Sequence, residues 1–226
     1  MLGSRCAGGK DKMSLCLIFD LDGTLVDSEC LCNQAFKEII KDIDESVNNL
    51  IDRYKGKKLS LIFKDIENRY NIKLNNNIEE QYRKKVEELF YKYLKPMPGV
   101  EEMLKNITYP YCLASSGPIE KINQSLTICR LSKYFDPSKI FSSYVIGFWK
   151  PDPKLFLFAA KSMGFIPEKC IVIEDSETGI NAAKAANMKY LQYCPNEILE
   201  YPNSQNKFNS MERLVELVTL FDNEET

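Results

Sequence analysis

Apolar positions cluster into two kinds of pattern along this chain. Residues 15–19 form a short unbroken apolar run, "LCLIF", which predicts a buried strand. It ends abruptly on "DLDGTLV", with acids at positions 20 and 22. From 28 to 95 the pattern changes to helical spacing, rich in Lys and Glu and without strand-like runs. It predicts helices over 33–43, 59–70 and 78–94, separated by Asn/Lys-rich links such as "KLNNN". "KPMPGV" at 95–100 punctuates the chain. Beyond it, short apolar runs at 111–114, 170–173 and 190–193 alternate with helical stretches at 119–127, 154–163, 179–186 and 211–221.

Alternating strands and helices predict an α/β fold, a doubly wound (Rossmann-like) parallel sheet covered on both faces. The long helical stretch interrupts it after the first strand. The expected division is therefore a catalytic core of 13–28 and 97–226, a helical insert of 29–96, and a loose leader of 1–12.

Composition narrows the function classes. The chain has 226 residues, 44% hydrophobic and 27% charged, with a net charge of −2, which argues against a general nucleic-acid binder. No apolar run is long enough to cross a bilayer, and the first residues lack a secretory apolar region. Eight cysteines are scattered, several inside apolar runs, as buried small hydrophobes of a reducing compartment would be. These features predict a cytoplasmic monomer without membrane or nucleic-acid partners. Cys30 and Cys32 form a pair too isolated for a usual zinc site. Histidine is absent, which removes Ser-His-Asp and Cys-His catalysis.

In such a sheet, ligands bind beyond the carboxyl ends of the strands. The first strand ends at Asp20 and Asp22, the run at 111–114 at Ser115 and Ser116, and the run at 170–173 at Glu174 and Asp175; Lys150 stands in "WKPDP". Each piece alone reads as a turn or helix cap. Together they bring carboxylates, hydroxyls and one ammonium to a single edge. Oxygens of Asp20, Asp175 and the Asp22 carbonyl suit a hard cation such as Mg²⁺. A carboxylate can attack phosphorus, a second one two residues on can pass protons, and Ser115, backbone N–H groups and Lys150 can hold phosphoryl oxygens.

"DLDGTLVD", "ASSGP", "KPDPKLF" and "IEDSETGI" resemble the four motifs of the haloacid dehalogenase superfamily, in that order. The resemblance implies a helical cap, Asp20 as nucleophile and Asp22 as acid/base. It implies Ser115, Ser116 and Lys150 as phosphate binders, and Asp20, Asp22, Asp175 and Glu174 around Mg²⁺. The acid at position 22 favours phosphoryl transfer over dehalogenation. "YKGKKL", "ASSGP" and "WKPDP" resemble bacterial sugar-phosphate phosphatases near β-phosphoglucomutase, of the 6-phosphogluconate phosphatase type. The expected function is a Mg²⁺-dependent phosphatase of a small phosphorylated metabolite, working through an aspartyl-phosphate. A phosphomutase is the alternative, disfavoured because Cys32 stands where those enzymes usually carry His; a non-catalytic binding protein is the other. In the insert, Lys55, Lys57 and Lys58 around Gly56 read either as a solvated turn or as a substrate loop meeting an acidic group, with Lys57 and Lys58 as the candidate contacts. Trp149 reads as a stacking or a packing residue.

Overall fold

The structure, a computed structural model, describes residues 15–199 and 206–223. The expected leader of 1–12 lies outside the described residues. Among the described residues the elements run β1 (Cys16–Phe19), α1 (Glu29–Ile39), α2 (Val47–Tyr54), α3 (Leu59–Tyr70), α4 (Ile78–Tyr93), α5 (Val100–Asn106), β2 (Tyr111–Ser115), α6 (Ile119–Ile128), β3 (Ile140–Ser142), α7 (Ser143–Ile146), α8 (Lys154–Met163), β4 (Cys170–Glu174), α9 (Glu177–Ala185), β5 (Lys189–Tyr193), β6 (Lys207–Phe208) and α10 (Leu214–Asn223). All strand pairs are parallel, in the order β3-β2-β1-β4-β5-β6. The chain leaves β1 to one side for β2 and β3 and returns to the other for β4, so the strand order reverses beside β1. Ligand crevices of doubly wound sheets open at that point.

β1 is apolar throughout because both of its faces are covered. Leu17 and Phe19 join the larger core cluster, with α5 and α10, while Cys16 and Ile18 join the smaller one, with α8 and α9. α3 has the bounds its pattern predicts, and α8 also matches. α1 differs, starting at Glu29 instead of 33 and ending at Ile39 instead of 43. Ser28 stands at its N-cap position and Glu29 in its first turn, where an acid suits the helix dipole. α2, α5, α7, β3 and β6 have no counterpart among the expected elements. α2 buries only Leu50 and Tyr54, and the two edge-side strands are three and two residues long, too short for a periodic signal.

Helices α1–α4 lie between β1 and β2 in sequence and pack on one another through aromatic rings. Phe36 stacks on Tyr82 with centroids 4.3 Å apart and meets the edge of Phe63 at 5.7 Å. The chain enters and leaves this bundle through two adjacent strips: Asp27 N–H donates to the Lys95 carbonyl at 2.9 Å, and Met97 N–H to the Leu25 carbonyl at 3.0 Å.

Glu45 ties three of these helices together. Its carboxylate accepts from Arg53 Nη2 at 2.7 Å, from Nη1 and from the Tyr70 hydroxyl, and its carbonyl accepts from Lys37. The Arg53 bonds hold the Glu45 carboxyl down at about 2, against an ordinary value of 4.5. A depressed acid stabilises the fold above its unfolded value and loses that contribution as pH falls through the folded one. Glu45→Gln is thus expected to cost about 1–2 kcal/mol at pH 7. In thermal melts the gap between variant and wild type should narrow between about pH 4.5 and pH 2. A gap that does not change with pH would mean that the carboxylate carries no ionic role.

Candidate active site

All nine residues singled out by sequence line one cleft of about 1030 Å³: Asp20, Asp22, Ser115, Ser116, Lys150, Glu174 and Asp175 from the sheet edge, and Lys57 and Lys58 from the helical bundle. The sheet register explains the first group. Asp20 follows β1, and its N–H donates to the Ile173 carbonyl of β4 at 2.9 Å. Glu174 is the last residue of β4 and Ser115 the last of β2. Asp20, Glu174 and Asp175 each bring one carboxylate oxygen within 4.8 Å of the other two.

Three close buried carboxylates are costly unless cations meet them. Lys150 Nζ donates to Asp20 Oδ1 and, at 2.9 Å, to Glu174 Oε1. Burial, more than Lys150 can offset, pushes the Asp20 carboxyl well above the carboxylate range. Burial, reinforced by Glu174, lifts Asp175 to about 8. Lys150 and Lys55, which meets Asp175 Oδ2 at 2.7 Å, bring two positive charges to three carboxylates, and the donors are all hard oxygens. That donor chemistry fits a divalent ion such as Mg²⁺ in kind and in charge.

Glycines let this cluster close up. Gly23 has φ +79°, and a Cβ there would stand 2.2 Å from Asp175 Oδ2. The Asp-Gly-Thr turn therefore runs directly against Asp175, and Thr24 Oγ1 donates to Asp175 Oδ1 at 3.2 Å. A Cβ on Gly179 would fall 1.9 Å from Glu174 Oε1, so the start of α9 can seat the Glu174 carboxylate. Ser176 N–H donates to the same group, and Ser176 Oγ caps α9 by accepting from Gly179 N–H at 3.1 Å. Ser115 Oγ accepts from Gly117 N–H at 3.1 Å, which curls the β2–α6 loop around the hydroxyl.

Several site residues were missed by sequence reasoning. Lys55 reaches from the end of α2 to within 2.7 Å of Asp175 Oδ2. Gly56, with φ +71°, packs so closely on Ser176 and Thr178 that a Cβ would lie 2.8 Å from Ser176 Oγ. The basic turn thus docks on the sheet edge through Lys55. Lys121 Nζ holds both oxygens of Asp22 at 2.8 Å, and Ser28 Oγ donates to Asp22 Oδ1 at 2.6 Å. Burial would raise the Asp22 carboxyl, but the Lys121 charge and these bonds outweigh it and hold it below its usual value. Glu29 also faces the cleft, pushed up to about 7 by burial and by Asp22. A "KGK" turn between helices is the one local signal that pointed towards Lys55; nothing local marks Lys121 or Glu29.

Lys58 Nζ lies 3.8 Å from the Trp149 ring centroid, and Trp149 meets the edge of Tyr144, so the lone tryptophan forms part of the cleft wall. Cys30 is exposed and Cys32 half buried. Two residues apart on α1, they do not face each other. No helix among the described residues is long and apolar enough to cross a membrane.

Residues 17–193 match the haloacid dehalogenase-like hydrolase family. The chain is 35% identical to the 6-phosphogluconate phosphatase of Escherichia coli, over 79% of this chain and 81% of that one. It is 30% identical to a phosphorylated carbohydrates phosphatase of Thermotoga maritima, over 76% and 82%. Its fold is similar to that of a haloacid dehalogenase-like protein of unknown function from Agrobacterium tumefaciens, with a TM-score of 0.78, 26% identity, and coverage of 92% and 99%. Three motifs at strand ends of one parallel sheet, a fourth between α7 and α8, and a family match spanning most of the chain lead to one conclusion: the chain belongs to the haloacid dehalogenase-like hydrolases.

Proposed function

We propose that this enzyme is a Mg²⁺-dependent phosphatase that removes phosphate from a small sugar phosphate, 6-phosphogluconate being the leading candidate. The observation that carries this is the pairing of Asp20 with Lys150 beside Asp22 and Ser115 in one cleft that also holds the three-carboxylate cluster. Asp20 attacks phosphorus and forms an aspartyl-phosphate. Ser115, Ser116 and Lys150 hold the phosphoryl oxygens. Asp22 in its protonated form gives its proton to the departing alcohol, and the carboxylate so formed regains a proton from the water that hydrolyses the intermediate. Asp20, Asp175, the Asp22 carbonyl and Glu174 would hold the metal. When bound, Mg²⁺ supplies charge that stabilises the phosphoryl group during its transfer.

In this reading, helices α1–α4 form a cap over a core made of the rest of the chain. The cap contributes Lys55, Lys57 and Lys58, and it excludes water while the acyl phosphate forms. The phosphatase reading is preferred over the phosphomutase because of Cys32. Burial pushes its thiol up to about 12, so it cannot pass protons near neutral pH as an imidazole does. The substrate class follows from the two phosphatase relatives and from Lys58. No carboxylate pairs with Lys58 among the described residues, and its ammonium rests on the Trp149 ring at the cleft. An acidic group at the far end of the sugar would gain a charge-assisted bond there.

The test measures phosphate release from a panel of sugar phosphates, with Mg²⁺ or with EDTA, using wild type and Lys58→Ala. Release is expected only with Mg²⁺, with a preference for 6-phosphogluconate over glucose 6-phosphate. Lys58→Ala should reduce that preference in kcat/KM about tenfold, roughly 1.4 kcal/mol. No release from any substrate with Mg²⁺ would sink the phosphatase reading. A preference ratio kept within about twofold, well under that tenfold, would sink the acid-sugar reading alone.

A further inference from the structure

Asp22 is held by a residue that no motif contains. Lys121 Nζ donates to both of its carboxylate oxygens at 2.8 Å, and Ser28 Oγ adds a third bond at 2.6 Å. The Lys121 side chain is 22% exposed and pairs with no other carboxylate among the described residues. Its ammonium also lies 5.6 Å from the Phe90 ring centroid, against α4. Lys121 stands in the first turn of α6, where a positive charge opposes the helix dipole. Breaking a local helix rule at a cleft residue marks a position kept for its contact.

α6 starts directly after the loop that curls around Ser115. That loop is itself fixed, because Ser142 Oγ donates to the Gly117 carbonyl at 2.6 Å. One segment therefore carries both the hydroxyl proposed to hold phosphate and the ammonium that holds Asp22. Their relative placement is set by one stretch of backbone, from Ser115 to Lys121.

We propose that Lys121 is the positioning residue for Asp22, setting the orientation of its carboxylate relative to the phosphate-holding loop. The inference rests on the proposed acid/base role of Asp22. To act as the acid, Asp22 must carry its proton on the oxygen that faces the leaving alcohol when the ester bond breaks, while its other oxygen keeps its bond to Lys121. Without the two Lys121 bonds it is held only by Ser28 through one oxygen and can rotate. Misplacement of a reacting group by about 1 Å can cost as much as 100-fold.

The test compares kcat/KM, which reports steps up to alcohol release, for an alkyl phosphate (glucose 6-phosphate) and for p-nitrophenyl phosphate, whose leaving group needs no proton. Lys121→Met is expected to lower the alkyl value about 10- to 100-fold and the aryl value less than threefold, with the Ki for inorganic phosphate unchanged. Lys121→Arg, which can still form two bonds to a carboxylate, should recover part of the loss. In an Asp22→Asn background, Lys121→Met should add less than twofold. Equal losses on both substrates, a raised phosphate Ki, or full additivity with Asp22→Asn would overturn the proposal. Asp22→Asn serves as the separate control: if it shows no leaving-group dependence itself, the reading of Asp22 fails; if it does and Lys121→Met does not, only the role of Lys121 fails. Should Lys121→Met not fold, Lys121→Gln and Lys121→Arg are compared in the same assays and decide by the same ratios.

Discussion

Replacing Asp20 by Asn is expected to lower kcat for every sugar phosphate by about 10⁴-fold or more, because in the proposed mechanism the covalent step loses its nucleophile. The fold should survive. Asp20 contributes one of three carboxylate oxygens crowded within 4.8 Å of one another, so an amide there relieves repulsion. Lys150 would keep Glu174 as a partner at 2.9 Å. A melting temperature no lower than that of wild type, measured in EDTA, separates loss of chemistry from loss of structure. Retention of more than a few per cent of activity in a preparation shown by mass spectrometry to be free of reverted Asp20 would remove Asp20 from the nucleophile role.

Asp22→Asn should have the second-largest effect. A general acid contributes about 10²–10⁴-fold, and the larger figure applies to poor leaving groups. The loss in kcat/KM is therefore expected to be greatest for sugar alcohols and least for p-nitrophenol. Water attack on the aspartyl-phosphate also needs a base, so kcat should fall for both substrates and the intermediate should accumulate. Trapping phosphate on the variant after acid quench, with none trapped on Asp20→Asn, would tie both residues to one pathway. Equal losses in kcat/KM on both substrate types would leave Asp22 a purely structural part.

The strand ends were legible because they follow from a local pattern. A buried parallel strand is apolar on both faces, and an acid or hydroxyl that interrupts such a run marks where the chain leaves the sheet. Asp20, Ser115 and Glu174 could be placed at the sheet edge for that reason, and the order of elements then brought them together. Lys150 was readable only because it stands in a motif; its pairing with Asp20 spans 130 positions. The basic turn was readable as a turn, but that Lys55 is the lysine of it that meets Asp175 was not. Lys55 reaches Asp175 because Gly56 lets the turn press on Ser176, and that contact involves two elements far apart in sequence.

By itself the sequence determined the fold class, the helical insert after β1 and the residues at the strand ends, since each is written in an unbroken apolar run, a period of 3.6 residues or a few adjacent positions. Only the tertiary structure decided which charges meet. Lys121 finds Asp22 across 99 positions, and Glu29 enters the cleft beside it. The short edge-side strands β3 and β6 also belong to the tertiary structure, being set by the neighbours that pair with them. The reason is physical: an ion pair depends on distance in space, which a single chain's local pattern does not encode, and buried charges take whichever partner the packed backbone brings within about 3 Å.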